Sequence, residues 1–181
     1  QYKKTVSFIS ATPTDLKYMP NWMSELSQVK IEWSNTVKST PILCERTYPF
    51  KSLREEFLIP LKRNDNITVA GKTFSKVIVF INSVAQISEI IKDAGIDKTQ
   101  CGIICGDSLK NDIKIVGIKR YSYGVMPKFL FITASGFCGI DLKDNNAMTI
   151  VVSNTAKNWQ MIDMLTDLKQ AVSRQRDKSN P

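Results

Sequence analysis

Three sets of residues in this chain have the types and spacing that could do chemistry on phosphates or metals. The first is Ala70-Gly71-Lys72-Thr73, which contains the Gly-Lys-Thr of a phosphate-binding loop. Such a loop surrounds phosphates with backbone N–H groups, and for that it needs an earlier glycine five residues before Gly71, a preceding strand and a following helix. Asn66 stands where that glycine belongs, and an apolar strand pattern follows. The stretch therefore reads as a hairpin turn through Gly71 and not as a nucleotide site. The second set is Cys44, Cys101, Cys105 and Cys138, which show no Cys-x-x-Cys pair in a chain without histidine. That excludes an ordinary zinc site, and no metal ligands are expected. Cys101 and Cys105 flank an apolar run and read as small core residues. The third set is Gln170, Arg174 and Arg176 at the end of an amphipathic stretch. Gln170 and Arg174 are one helical turn apart and would project together from a helix end, with Arg176 beyond it in a loop. Fixed guanidinium charge there suits an anionic ligand. It also suits the negative end of the helix dipole, a purely local effect of about 0.3–1 kcal/mol.

Positioning those residues requires a scaffold, and the apolar runs outline one. Lys76–Ile81, Gly102–Cys105, Phe129–Thr133 and Met148–Val152 are rich in β-branched and aromatic residues without polar alternation, the pattern of strands buried on both faces. Between them lie helical patterns. The expected order is strand 76–81, helix 83–94 closed by Gly95, strand 101–105, helix 108–118 opened by Ser108, strand 128–132, strand 147–152 and helix 158–173. The last helix would carry the stripe Met161, Leu165, Leu168 and Val172. Such alternation specifies a parallel sheet with right-handed crossovers, whose ligands gather at the carboxyl ends of the strands. Upstream, Thr5–Ile9 reads as a short strand, and Val29–Trp33 and Ile42–Thr47 as two more. Ser52–Leu61 reads as a helix with Ser52 and Glu55 as a capping box. Trp22, Trp33 and Tyr48 are assigned to the core. With 181 residues, 43% of them hydrophobic, the chain can bury a substantial core. Its 25 basic against 17 acidic residues give a net charge of +8, which favours a polyanionic partner such as nucleic acid or nucleotide phosphate.

Four segments resemble motifs of superfamily 2 helicases and translocases. Ser10-Ala11-Thr12 resembles motif III, which closes the first RecA-like lobe and couples nucleotide state to lobe movement. The strand ending in Val79-Phe80-Ile81-Asn82-Ser83 resembles motif IV. Thr133 followed by Gly139-Ile140-Asp141 resembles motif V. Gln170, Arg174 and Arg176 resemble motif VI, with Ser173 in place of the usual glycine and the arginines two apart instead of three, a shortened form found in viral and mobile-element branches.

The resemblance implies a RecA-like α/β lobe, a parallel sheet with helices on both faces, preceded by a mixed connector. Residues 1–64 would be the end of a first lobe plus connector, and 65–181 the second lobe. One arginine, with Arg176 favoured over Arg174, would act as an arginine finger on the γ-phosphate, with Gln170 positioning it. Gly139 and Asp141 would lie against ATP. Asn82, Ser83, Thr133 and Ser135 would contact nucleic acid, with DNA favoured over RNA, and Ser10 and Thr12 would couple the lobes. ATP and Mg2+ would be held mainly by a first RecA-like lobe of the same protein, so that this chain alone would hydrolyse nothing. The expected setting is cytoplasmic, since neither a signal peptide nor a membrane-length apolar run is seen, and the chain reads as a piece of a longer protein. A non-catalytic α/β module that binds a nucleotide or protein partner, and a flavodoxin-like domain with a ligand at its own strand ends, are the other readings.

Overall fold

The computed structural model describes residues 19–27, 41–137, 139–164 and 166–175. Ser10, Thr12, Cys138, Leu165, Arg176 and the strands expected at Thr5–Ile9 and Val29–Trp33 lie outside these residues.

Among the described residues, two helical elements come before the first strand. The first is a single turn, α1 (Asn21–Ser24), and the second is one continuous helix made of α2 (Pro49–Ser52), a π segment over Leu53–Leu58 and α3 (Ile59–Lys62). Pro49 starts the second helix, because a residue without an N–H fits the first turn. The expected start at Ser52 is corrected: Tyr48 is the cap residue, and Ser52 lies inside the helix. The wide π turn has a cause in Pro60. Proline has no N–H to give and crowds the carbonyl four residues back, and here the Ile59 N–H reaches five residues back to Arg54 O. The strand expected over Ile42–Thr47 is absent. Those residues are irregular and exposed, with Ile42 and Leu43 facing solvent. Trp22 and Tyr48, assigned to the core from sequence, are also exposed.

A hairpin follows, β1 (Ile67–Val69) paired with β2 (Lys72–Phe74). Ala70 and Gly71 form its two-residue turn with φ of 51° and 78°, the left-handed pair that matches strand twist in a tight hairpin. The Gly-Lys-Thr sequence is thus a turn and a strand, without a helix behind it to receive phosphate.

The remaining elements build one sheet. They are β3 (Lys76–Phe80), α4 (Val84–Ala94), β4 (Cys101–Ile104), α5 (Leu109–Lys114), β5 (Lys119–Arg120), β6 (Phe129–Ile132), β7 (Ala147–Val151) and α6 (Asp167–Val172). The five strands are all parallel in the order β5-β4-β6-β3-β7. This is the parallel α/β sheet expected from the alternation, of the RecA-like type that the resemblance implies, with β5 as a short edge strand that no apolar run had marked. Side chains alternate across the sheet. Val77 and Val79 join Ile103, Phe129 and Phe131 on one face, where Ile87, Ile90 and Ile91 of α4 and Leu53, Leu58 and Leu61 of the earlier helix cover them. Ile78, Phe80, Leu130 and Ile132 point to the other face, beneath Phe137, Leu142, Ile162 and Ala171. Each fully buried apolar side chain contributes about 1.5–3 kcal/mol, so these two layers hold the strand order. Cys101 and Cys105 belong to the first layer, where burial pushes the Cys101 thiol up to about 12 and the Cys105 thiol upward as well.

The expected helix 158–173 is corrected. Only a 3-10 turn, Asn158–Gln160, and the short α6 form, so Met161 and Leu168 do not share one helical stripe. Polar side chains compete for the backbone in between. The Asp163 carboxylate accepts from Thr166 N at 2.7 Å, Ser153 Oγ accepts from Ile162 N at 3.1 Å, and Asn154 Nδ2 donates to Gln160 Oε1 at 2.8 Å. Helix α5 likewise stops at Lys114, short of the expected Ile118.

Candidate functional site

The chain leaves β3 and β6 on opposite faces of the sheet. From β3 it turns to α4, which packs on the first face, and from β6 it turns toward Phe137 and Leu142 on the second. β3 and β6 are hydrogen-bonded neighbours, so their carboxyl ends form the point where connections part and a crevice opens. A cleft of about 380 Å³ lies there, lined by Asn82, Ser83, Val84, Ala85, Lys110, Asn111, Lys114, Thr133 and Trp159.

Three of the four residues expected to meet nucleic acid line this cleft, and the fourth is bonded to one of them. Asn82 joins its walls: its Nδ2 donates to Trp159 O at 2.9 Å, and its Oδ1 accepts from Ala134 N at 3.4 Å. Ser83 caps α4, its Oγ accepting from Gln86 N at 3.2 Å, and is buried. Thr133 is buried too, with its hydroxyl within 3.1 Å of Ser135 Oγ. Gly136 lets this turn lie against the sheet, because a Cβ there would fall 2.6 Å from Ile132 Cγ2. Ser83 and Thr133 therefore shape the cleft floor, whereas Asn82 and Ser135 keep more of their surface open.

Sequence reasoning missed Lys110, Asn111, Lys114 and Trp159. Lys110 and Lys114 are four apart in the helix after β4, so both ammonium groups share one helix face. That spacing was legible. The approach of α5 and of the Trp159 turn to the ends of β3 and β6 was not, because it depends on strand order. Asp112, between the lysines in sequence, is engaged elsewhere: Arg120 Nη2 donates to it at 2.7 Å. Trp159 is 56% exposed, and the Lys157 ammonium sits 5.6 Å from its ring centroid.

The second group of expected site residues also comes together. Leu142 N donates to Arg174 O at 2.8 Å, and Arg174 Nη1 donates to Ile140 O at 3.2 Å. Gln175 Nε2 donates to Asp144 O at 2.8 Å, and Lys76 Nζ meets Asp144 Oδ2 at 2.6 Å. The Gly139–Asp141 segment and the end of α6 are thus laced to each other and to the start of β3. Gly139 and Asp141 face solvent, and Gln170 is half-buried. The guanidinium of Arg174 does not project as a free group. Its Nε donates to Gln170 O at 3.0 Å and its Nη2 to Ser173 Oγ at 3.2 Å, so it closes the open carbonyl end of α6. The expectation that Gln170 and Arg174 project side by side from a helix end is corrected accordingly.

Among the described residues no three Cys, Asp or Glu side chains gather in a way that could hold a metal ion, and no helix is long and apolar enough to cross a membrane. Comparison of the chain with protein-family models, curated proteins and solved structures gives no match.

Proposed function

We propose that this chain is the second RecA-like lobe of an ATP-dependent nucleic-acid helicase or translocase, with residues 1–64 ending a first lobe and leading into it. The observation that carries the reading is the lacing of the Gly139–Asp141 loop to the end of α6, with Leu142 N on Arg174 O and Arg174 Nη1 on Ile140 O. The two segments that resemble motifs V and VI, separated by some thirty residues of chain, form one unit in the fold. The cleft at the switch point supports the same reading from the nucleic-acid side. It is basic, it lies where α/β sheets take ligands, and it includes the Asn82-Ser83 segment resembling motif IV.

In this reading DNA or RNA, with DNA favoured, lies along the strand ends, and its phosphates meet the cleft. ATP with Mg2+ would sit between this lobe and a first one, where its hydrolysis would supply the free energy for opening and closing the lobes. Gly139 and Asp141, being exposed, are available to a nucleotide on that side. Arg176 is the better choice for the finger, since Arg174 already holds the carbonyls of Gln170 and Ile140. Ser10 and Thr12 would couple the lobes. The chain by itself would be inactive and cytoplasmic.

The test uses the intact two-lobed protein. Arg176→Ala should leave ATP binding within a few-fold and lower turnover by roughly 10³ or more, as loss of a transition-state charge does in phosphoryl transfer. ATPase activity near that of the wild type would instead favour a non-catalytic α/β binding module. The carbonyl-bound Arg174 is the observation that keeps that second reading open.

A further inference from the structure

We propose that Trp159 is a base-stacking platform which, with Lys110 and Lys114 as phosphate contacts, makes the switch-point cleft a site for single-stranded nucleic acid and not for duplex. The inference rests on the nucleic-acid reading above and deepens it by naming the strandedness and the residues that select it.

Trp159 is presented on a held backbone. Its carbonyl accepts from Asn82 Nδ2 at 2.9 Å, and the next residue, Gln160, is 2% exposed with its side-chain oxygen bonded to Asn154 Nδ2 at 2.8 Å. Backbone and neighbour are fixed while the indole itself faces solvent over the cleft rim. Stability alone does not account for that arrangement, because a buried indole would remove far more apolar surface from water. The ring face is electron-rich and already has the Lys157 ammonium 5.6 Å from its centroid. An exposed nucleobase stacks on such a face whatever its identity.

The lysines supply the other half. Lys110 and Lys114 line the same cleft, and neither has an acidic partner among the described residues. Their helix is set in place by Ser108 Oγ, which accepts from Asn111 N at 3.1 Å, and by Asn111 Nδ2, which donates to Gly106 O at 2.8 Å. A cleft of about 380 Å³ falls within the roughly 300–1,000 Å³ typical of ligand sites. A flat aromatic face beside two ammonium groups that are unpaired among the described residues matches the alternation of base and phosphate along a single strand. In a duplex the bases are already stacked on each other, so only the ammonium groups would find partners.

The experiment measures fluorescence anisotropy of a labelled short oligodeoxythymidine, and of a duplex containing it, against the full chain at several salt concentrations. Trp159→Ala should weaken single-strand binding roughly tenfold, and Trp159→Phe should keep most of the affinity because phenylalanine still stacks. Duplex affinity should be the same for the wild type and Trp159→Ala. Replacing Lys110 and Lys114 with alanine should lower the slope of log affinity against log salt by about 0.7 per lysine. Equal single-strand affinity of Trp159→Ala and wild type would overturn the stacking role while leaving the nucleic-acid reading intact. Trp159→Phe binding as weakly as Trp159→Ala would also overturn it, since the residue would then act through packing alone. A wild-type chain that binds neither oligonucleotide at low salt would sink the nucleic-acid reading and this inference with it.

Discussion

At the carboxyl ends of β3 and β6, Lys110 and Lys114 line an open cleft without acidic partners among the described residues, whereas Arg174 at the end of α6 commits its guanidinium to Gln170 O, Ile140 O and Ser173 Oγ. Both regions are basic, and both are built from segments that a reading of the sequence marked or adjoined. They use charge in opposite ways. The lysines make no hydrogen bond or ion pair among the described residues and line an open cleft. Arg174 holds the Ile140 carbonyl and shares the Gln170 carbonyl with Ser173 Oγ, and a ligand could recruit it only by breaking those bonds. Basic residues near a site are therefore not equivalent evidence of binding. What separates them is whether the protein itself already occupies their donors.

The largest expected effect tests the committed side. Arg174→Ala removes a charged donor from two partly buried backbone carbonyls, and hydrogen bonds to charged groups contribute about 1.5–3 kcal/mol each. Unfolding stability should fall by about 2–4 kcal/mol, read from the urea midpoint. Hydrogen exchange at the Leu142 amide, which donates to Arg174 O, should accelerate. Arg174→Lys should recover little, because one ammonium cannot reach three acceptors as a planar fork does. An unchanged midpoint in Arg174→Ala would break the comparison and return Arg174 to the set of available arginines.

The difference between the two regions also marks how far the sequence could be read. Strand positions were legible because β3 and β6 carry short, unbroken apolar runs rich in β-branched and aromatic residues, the pattern of strands buried on both faces. The caps Gly95 and Ser108 were legible from local chemistry, since their bonds lie within one turn. Helix 158–173 was misread because its apolar spacing is right for a helix, while the Ser153 and Asp163 side chains offer the backbone competing bonds that periodicity does not register. Tyr48 and Trp22 were misplaced for a related reason. Aromatic residues at strand or helix spacing suggest burial only if the element forms and finds a face to cover; the chain around Ile42 forms no strand, and the single turn α1 leaves Trp22 exposed. Trp159 and the two lysines needed the strand order before their meeting could be seen.

A smaller effect sharpens the boundary of the cleft. Asn82 ties the turn after β6 to the turn holding Trp159, through bonds of 3.4 and 2.9 Å. Asn82→Ala should lower stability by only about 1 kcal/mol, the ordinary net value of such hydrogen bonds. It should weaken oligodeoxythymidine binding several-fold, because the backbone that presents Trp159 loses its anchor. A stability loss with no change in binding would show that Trp159 is positioned without Asn82, and the cleft would then be defined by α5 and the β6 turn alone.

The smallest expected effect is the most discriminating, because its sign is opposite to that at Arg174. Lys110 and Lys114 are four residues apart on one helix face, and like charges at that spacing disfavour a helix by about 0.2–0.5 kcal/mol. Alanine is also the stronger helix former. Replacing either lysine with alanine should therefore leave the urea midpoint unchanged or raise it slightly, within about 0.5 kcal/mol. Added oligodeoxythymidine should then raise the midpoint of the wild type more than that of the variant, since a ligand that binds only the folded chain stabilises it by an amount that grows with the logarithm of its affinity. A fall of more than about 1 kcal/mol in either variant would mean that the ammonium groups take part in holding the native structure. The contrast between a charge held in reserve and a charge built into the fold would then have no basis at this end of the sheet.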